Sequence, residues 1–154
     1  MRSELRDVSI GPARAALLAD ALDLLAEAEL PLEGVAERFS EFLVAQAGGR
    51  LVGVVGLEVY GASALLRSLA VRADQRGRGL GQALTRAALR QAQARGVRRI
   101  YLLTETAAPF FERFGFGVIR REAADPAVQE SVEFRSACPQ SATCMALQLS
   151  TIRT

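Results

Sequence analysis

Histidine and lysine are both absent from this chain, and all 19 of its basic residues are arginine. Without histidine there is no imidazole base, no Ser-His-Asp triad and no histidine metal site. A general base must be a carboxylate, a tyrosine, a thiolate or a water relay. Without lysine a Walker A loop is excluded, because that loop needs a Lys-Ser/Thr pair after its last glycine. Cysteine is scarce: Cys138 and Cys144 form one Cys-x5-Cys pair. Two thiolates with no third ligand make no structural zinc site, and no metal site is expected. No apolar run reaches membrane-spanning length, and Met1-Arg-Ser-Glu-Leu-Arg-Asp lacks the pattern of a signal peptide. A soluble cytoplasmic chain is expected, and in that compartment a structural disulfide is not. The net charge of +2 is too small to point to nucleic acid.

What is present is a chain of 154 residues, 50% hydrophobic, long enough to bury a core as one domain over residues 1–154. Its most informative stretch is Leu69-Ala-Val-Arg-Ala-Asp-Gln-Arg-Gly-Arg-Gly-Leu-Gly-Gln-Ala-Leu84. An apolar strand runs into a turn carrying Arg76, Gly77, Arg78, Gly79 and Gly81. A helix starts at once, with Leu80, Ala83, Leu84, Ala87 and Ala88 at helical spacing. Glycines allow a tight turn with inward-pointing N–H groups, and the helix start adds unpaired donors and the positive end of the macrodipole. Together they cradle an anionic group such as a diphosphate. The dinucleotide fingerprint fails in both registers, since Gln82 or Leu84 falls where the last glycine or alanine is required. Arg72, Arg76 and Arg78 cluster around the turn, which suits a polyanionic cofactor better than a long polymer.

The remaining chain reads as alternating strands and helices without repeat or linker. Strands are expected over residues 4–9 (broken by Gly11-Pro12), 41–47 and 50–60 as a hairpin around Gly48-Gly49, 63–71, 97–104, 117–121 and 142–149. Helices are expected over 13–28, 31–38, from the glycine turn to about Arg95 with a stop at Gly96, 106–113, and from Pro126 to about Arg135. The expected fold class is α/β, a mixed central sheet flanked by helices.

The pattern Arg-x-x-Gly-x-Gly at Arg76, Gly79 and Gly81, after a strand ending Leu-Ala-Val, resembles the signature of the GNAT family of N-acetyltransferases. A second block, Ile100-Tyr-Leu-Leu-Thr-Glu-Thr-Ala-Ala-Pro-Phe-Phe-Glu-Arg-Phe-Gly-Phe116, is similar to that family's next strand and helix. Two spaced blocks in the right order are far more specific than one glycine loop. The resemblance implies a single GNAT-like domain that uses acetyl-CoA. Its pyrophosphate would lie on Arg76, Gly77, Arg78, Gly79, Leu80, Gly81 and Gln82, and its pantetheine arm on the backbone of Leu69, Ala70 and Val71. Thr104 and Phe111 join these as candidate cofactor contacts, with Phe110 and Phe111 packing around the arm. A homodimer is a family-level expectation.

The second block is also similar to bacterial N-acetylglutamate synthase domains. The tail Ser131-Val-Glu-Phe-Arg-Ser-Ala-Cys-Pro-Gln-Ser-Ala-Thr-Cys-Met145, with Gly56-Leu-Glu-Val-Tyr60 and Leu65-Leu-Arg-Ser-Leu-Ala-Val71, resembles acetyltransferases encoded in arsenic-resistance operons. These likenesses imply an amino-acid-like acceptor, with one bearing arsenic among the candidates. An acceptor carboxylate wants an arginine, and Arg67 is the first candidate, with Ser68 and Glu105 beside it.

Acetyl transfer needs a neutral amine and a route for its proton. In Gly56-Leu-Glu-Val-Tyr60 the alternation puts Glu58 and Tyr60 on one face of an apolar strand. Burial there raises a carboxylate's pKa, so Glu58 is the first candidate base and Glu105 the second. Where the family often has a tyrosine acid this chain has Phe111, which has no proton to give. Tyr60, Tyr101 or water then substitutes, or the thiolate leaves unaided. Three functions compete: N-acetyl transfer to a small amine, acetylation of protein N-termini, and a module that binds acyl-CoA, or an arsenical through Cys138 and Cys144, without transfer.

Overall fold

Gly48 and Gly49 both adopt positive φ, +59° and +78°. That is the twist a two-residue hairpin loop requires, and few residues other than glycine supply it twice. The loop joins β2 (Leu43–Ala47) to β3 (Arg50–Tyr60). A computed structural model describes residues 7–149. In it these strands are part of a seven-stranded sheet with β1 (Val8–Pro12), β4 (Ser63–Val71), β5 (Arg99–Thr104), β6 (Gly117–Ile119) and β7 (Thr143–Gln148), in the order β1-β2-β3-β4-β5-β7-β6. All neighbours are antiparallel except β4 and β5, which makes the sheet mixed. Among the described residues no helix is long and apolar enough to cross a membrane.

Helix α2 (Leu80–Ala94) follows the glycine turn and buries Leu80, Leu84, Ala88 and Ala92, one residue per turn, against one face of the sheet. It ends as the sequence predicts: Gly96 takes φ +80°, and the Val97 amide donates back to the Ala92 carbonyl. Short α3 (Ala108–Glu112) lies on the same side, with Phe111 in the same apolar cluster. The opposite face carries α1 (Leu18–Glu27) over Val54 and Ala70, and α4 (Pro126–Gln129) over Leu65 and Tyr101. The core on this second face is therefore two clusters rather than one. Strand alternation places Glu58 of β3 and Arg67 of β4 on that face, between them. Gly56, two residues before Glu58, is fixed by packing, because a Cβ there would meet the Phe42 ring at 2.5 Å.

Several element ends differ from expectation. β1 continues through Gly11-Pro12, pairing with Val44 and Leu43; proline is tolerated because this is an edge strand. The expected strand residues 4–6 lie outside the described residues. The first helix starts late, after a 3-10 turn at Ala15–Leu17, because Arg14 is extended and caps nothing. The segment expected to be helical from Pro31 becomes a 3-10 stretch over Ala36–Glu41, and β2 begins two residues later than expected. Glu41 is committed there to the Val59 amide and to Arg38. The C-terminal helix does not run to Arg135. α4 stops at Gln129, and a π-helical turn, Glu133–Ala137, follows, with the Ser131 hydroxyl accepting from the Phe134 amide. That break matters for the site.

Candidate active site

Between β3 and β4 the register slips: Val54 pairs with Ala70 but Gly56 pairs with Arg67, so Ser68 and Leu69 face one residue. This bulge puts Ser68 at φ +61°, a conformation that costs a non-glycine residue about 1 kcal/mol or more. Pairing of β4 with β5 extends only over residues 63–65 and 99–101. Beyond that point the two parallel strands separate. A cleft of about 510 Å³ opens between them, lined by residues 66–71 of β4 and 102–107 of β5 and beyond. From the α2 face Arg76 and Phe111 reach it; from the opposite face come residues 28–31, Glu133 and Cys138. The cleft thus passes through the sheet from one face to the other.

At the α2 face the glycine turn has the predicted build. Gly77 and Gly79 have φ +82° and +83°, and around each the space a Cβ would enter is open. The first helical bond runs from the Ala83 amide to the Gly79 carbonyl, leaving the amides of Leu80, Gly81 and Gln82 without helical acceptors. Arg76 lines the cleft while its Nε donates to the Val71 carbonyl at 3.0 Å, tying the turn to the end of β4. Arg78 reaches Gln75, and Arg72 pairs with Asp74. Leu69, Ala70 and Val71 form one wall. Thr104 forms the other, its hydroxyl accepting from the Ala107 amide ahead of α3. Phe111 is buried and packs edge-on against Phe110.

At the opposite face the expected residues do meet, but not as expected. Glu58 accepts from the Tyr60 hydroxyl and from Arg67 Nη1 at 3.0 Å. Neither Glu58 nor Tyr60 lines the cleft. Both of Glu58's oxygens are occupied, and Arg67 stands between it and the opening. The Tyr60 ring lies under the Arg38 guanidinium, and its hydroxyl is pushed above its ordinary pKa by burial and by Glu58. Tyr101 lines a separate cavity with Arg99 and Ile119, and its pKa is raised by burial. Neither of the chain's two tyrosines therefore presents an acid to the cleft.

Arg67 stands on the cleft lining. Its side chain is 0% exposed. Nε contacts Ser68 Oγ at 2.9 Å and Glu133 at 3.3 Å, Nη1 holds Glu58, and Nη2 donates to the Pro31 carbonyl at 3.3 Å. The guanidinium lines the cleft, with its nitrogens engaged by partners within the protein. Glu105 lines the cleft but is exposed.

Sequence reasoning missed Glu133. It stands at the start of the π turn, 3% exposed, on the cleft lining. Burial raises its carboxyl from the ordinary 4.5 to about 7, against the pull of Arg67. The Cys138 thiol hydrogen-bonds to it, and that thiol is pushed up to about 12, mainly by burial. The one available signal was a carboxylate set between two apolar residues, Val132 and Phe134, in an otherwise polar stretch that also carries Glu130. Cys144 does not join Cys138 on the lining; it packs with Leu65 and Tyr101, its thiol raised to about 11 by burial. The two cysteines do not make a dithiol facing the cleft.

A glycine turn running into a helix start stands at one end of a cleft between splayed parallel strands, a build suited to an anionic ligand. The chain belongs to the acetyltransferase (GNAT) domain family, whose profile matches residues 38–118, just over half of it. It is 32% identical over 92 residues to an uncharacterized N-acetyltransferase of Chlorobaculum tepidum, an overlap covering 59% of each chain. Its fold superposes with a TM-score of 0.81 on N-acetylglutamate synthase from Neisseria gonorrhoeae, solved with coenzyme A and N-acetyl-glutamate, at 19% identity over 93% of this chain and 35% of that one. A second solved relative is the Mycobacterium tuberculosis protein Rv2747, in complex with CoA, with TM-score 0.76 and 24% identity over 92% of this chain and 99% of that one. The chain spans 59% of the length of the curated relative it matches and about a third of the synthase.

Proposed function

We propose that this chain is an acetyl-CoA-dependent N-acetyltransferase acting on the primary amine of a small, amino-acid-like acceptor. The observation that carries the reading is the strained bulge at Ser68, with the splaying of β4 from β5 and the glycine turn at the end of the opening. The turn suits a diphosphate: unpaired amides at Leu80, Gly81 and Gln82, open space at Gly77 and Gly79, and Arg76 and Arg78 nearby. Leu69, Ala70 and Val71 would hold the pantetheine arm by their backbone, facing Thr104 and Phe111. When bound, acetyl-CoA supplies an activated acetyl thioester.

The acceptor enters from the opposite face, where residues 28–31, Ser68, Glu105 and Glu133 line the cleft. Much of the acceleration comes from orientation, because the two ends of one cleft hold the two reactants in line. Glu58 and Tyr60 act behind the wall, fixing Arg67. Membership of the GNAT family and the fold shared with N-acetylglutamate synthase support an amino-acid-like acceptor. The likeness to arsenic-operon enzymes rests on residues 56–60, 65–71 and 131–145, and within this proposal it adds an amino-acid-like arsenical to the acceptors to be tried.

The test is thiol release from acetyl-CoA against glutamate, aspartate, such an arsenical and simple primary amines. Saturable release that depends on one amine supports the proposal. Acetyl-CoA binding with no amine-dependent release would overturn it.

A further inference from the structure

We infer that Glu133 is the group that receives the acceptor's ammonium and takes its proton. The inference rests on the transfer function proposed for this cleft. Glu133 is the buried carboxylate on the lining; Glu29 and Glu105, which also line it, are exposed. It enters the cleft because the helix begun at Pro126 breaks, and π turns of this kind are frequent at functional sites.

Every charged or titratable group facing Glu133 has a visible part in this. Arg67 from β4 lies 3.3 Å away, and Glu58 from β3 is on the far side of that guanidinium. The Cys138 thiol hydrogen-bonds to the carboxylate from the other end of the π turn. Arg121 donates to the backbone carbonyls of Phe134 at 3.1 Å and Pro139 at 2.9 Å, and approaches those of Glu133 and Cys138 at 3.5 Å. Arg121 therefore clamps the backbone of the turn while Arg67 orients the side chain. By formal charge the two carboxylates outnumber the one guanidinium among Glu58, Arg67 and Glu133, and all three side chains are buried. Such a site favours a cation that can reach Glu133 from the cleft, and the acceptor's ammonium is that cation. Desolvation also sets the carboxyl near neutrality, where a group both accepts and releases a proton readily.

The step balances as follows. Glu133 takes one proton from the ammonium, leaving a neutral amine. The nitrogen–carbon bond forms as the carbon–sulfur bond of the thioester breaks, with the electron pair leaving on sulfur. A second nitrogen proton passes to the thiolate, and Glu133 returns its own proton to solvent.

The experiment measures rate against pH for the wild type, Glu133→Gln, Glu133→Asp and the exposed control Glu130→Gln, with acetyl-CoA affinity determined for each. The expected result is a wild-type profile with an acidic limb near pH 7. Glu133→Gln should lose about a hundredfold or more in kcat, lose that limb, and keep acetyl-CoA affinity within about twofold. Glu133→Asp should restore the limb at a reduced rate, and Glu130→Gln should match the wild type. A Glu133→Gln enzyme with wild-type kcat and an unchanged limb would overturn the assignment while leaving transfer intact. A wild type inactive toward every amine would overturn the transfer function, and this assignment with it.

Discussion

Replacing Glu133 by glutamine should change how stability depends on pH. The carboxyl titrates at about 7 in the folded chain against an ordinary 4.5. Between those values the folded state holds a proton that the unfolded state has lost, so this group's contribution to stability falls as pH rises through that window. The loss is complete above pH 7. A difference of about 2.5 units at about 1.4 kcal/mol per unit gives a penalty of about 3 kcal/mol. Glutamine has no charge to desolvate, and Arg67 keeps Glu58 as its partner at 3.0 Å. The assay is urea unfolding of wild type and Glu133→Gln at pH 5 and pH 8. Other groups titrate alike in both proteins and cancel in the comparison. Because about 0.8 kcal/mol of the penalty is already present at pH 5, the variant should gain on the wild type by about 2.5 kcal/mol between the two pH values, a midpoint change of about 1 M or more. Midpoints that move in parallel would refute the reasoning.

Three further outcomes follow from the same geometry. Glu58→Ala removes one partner of a fully buried ion pair and should destabilise the fold by about 3 kcal/mol, read as a fall in thermal midpoint, without weakening acetyl-CoA binding. Gly79→Ala places a Cβ at φ +83°; at about 1–2 kcal/mol of strain the turn relaxes, and acetyl-CoA affinity should drop about tenfold by calorimetric titration. Cys138 and Cys144, with thiols held at about 12 and 11, should resist iodoacetamide in the native protein at neutral pH and react only on unfolding, as followed by mass.

The cofactor end of the site is more legible in the sequence than the acceptor end, for a physical reason. The glycine turn, its strand and its helix are local: consecutive residues carry backbone requirements that only glycine at 77 and 79 meets readily, and the one-in-four stripe of α2 marks its buried face. β3 and β4 are legible to the residue, because their apolar runs are bounded by Gly48-Gly49 and Gly61. The acceptor end is assembled across long separations. Glu58, Arg67 and Glu133 come from β3, β4 and the turn after α4, and alternation predicts a shared face for Glu58 and Tyr60 without saying that Arg67 covers them. The break after Gln129 was hidden, because Val128, Ser131 and Phe134 suit a continuous helix as well as a broken one. The Ser68 bulge likewise leaves no mark in an otherwise ordinary strand sequence.

The measurement that bears most directly on the account is the fate of a carbon-labelled acetyl group, supplied as acetyl-CoA together with the acceptor panel and followed by mass spectrometry. Label on the nitrogen of one amine, dependent on the enzyme and lost in Glu133→Gln, is the predicted result. Label that stays on CoA, or appears only as free acetate, would contradict it.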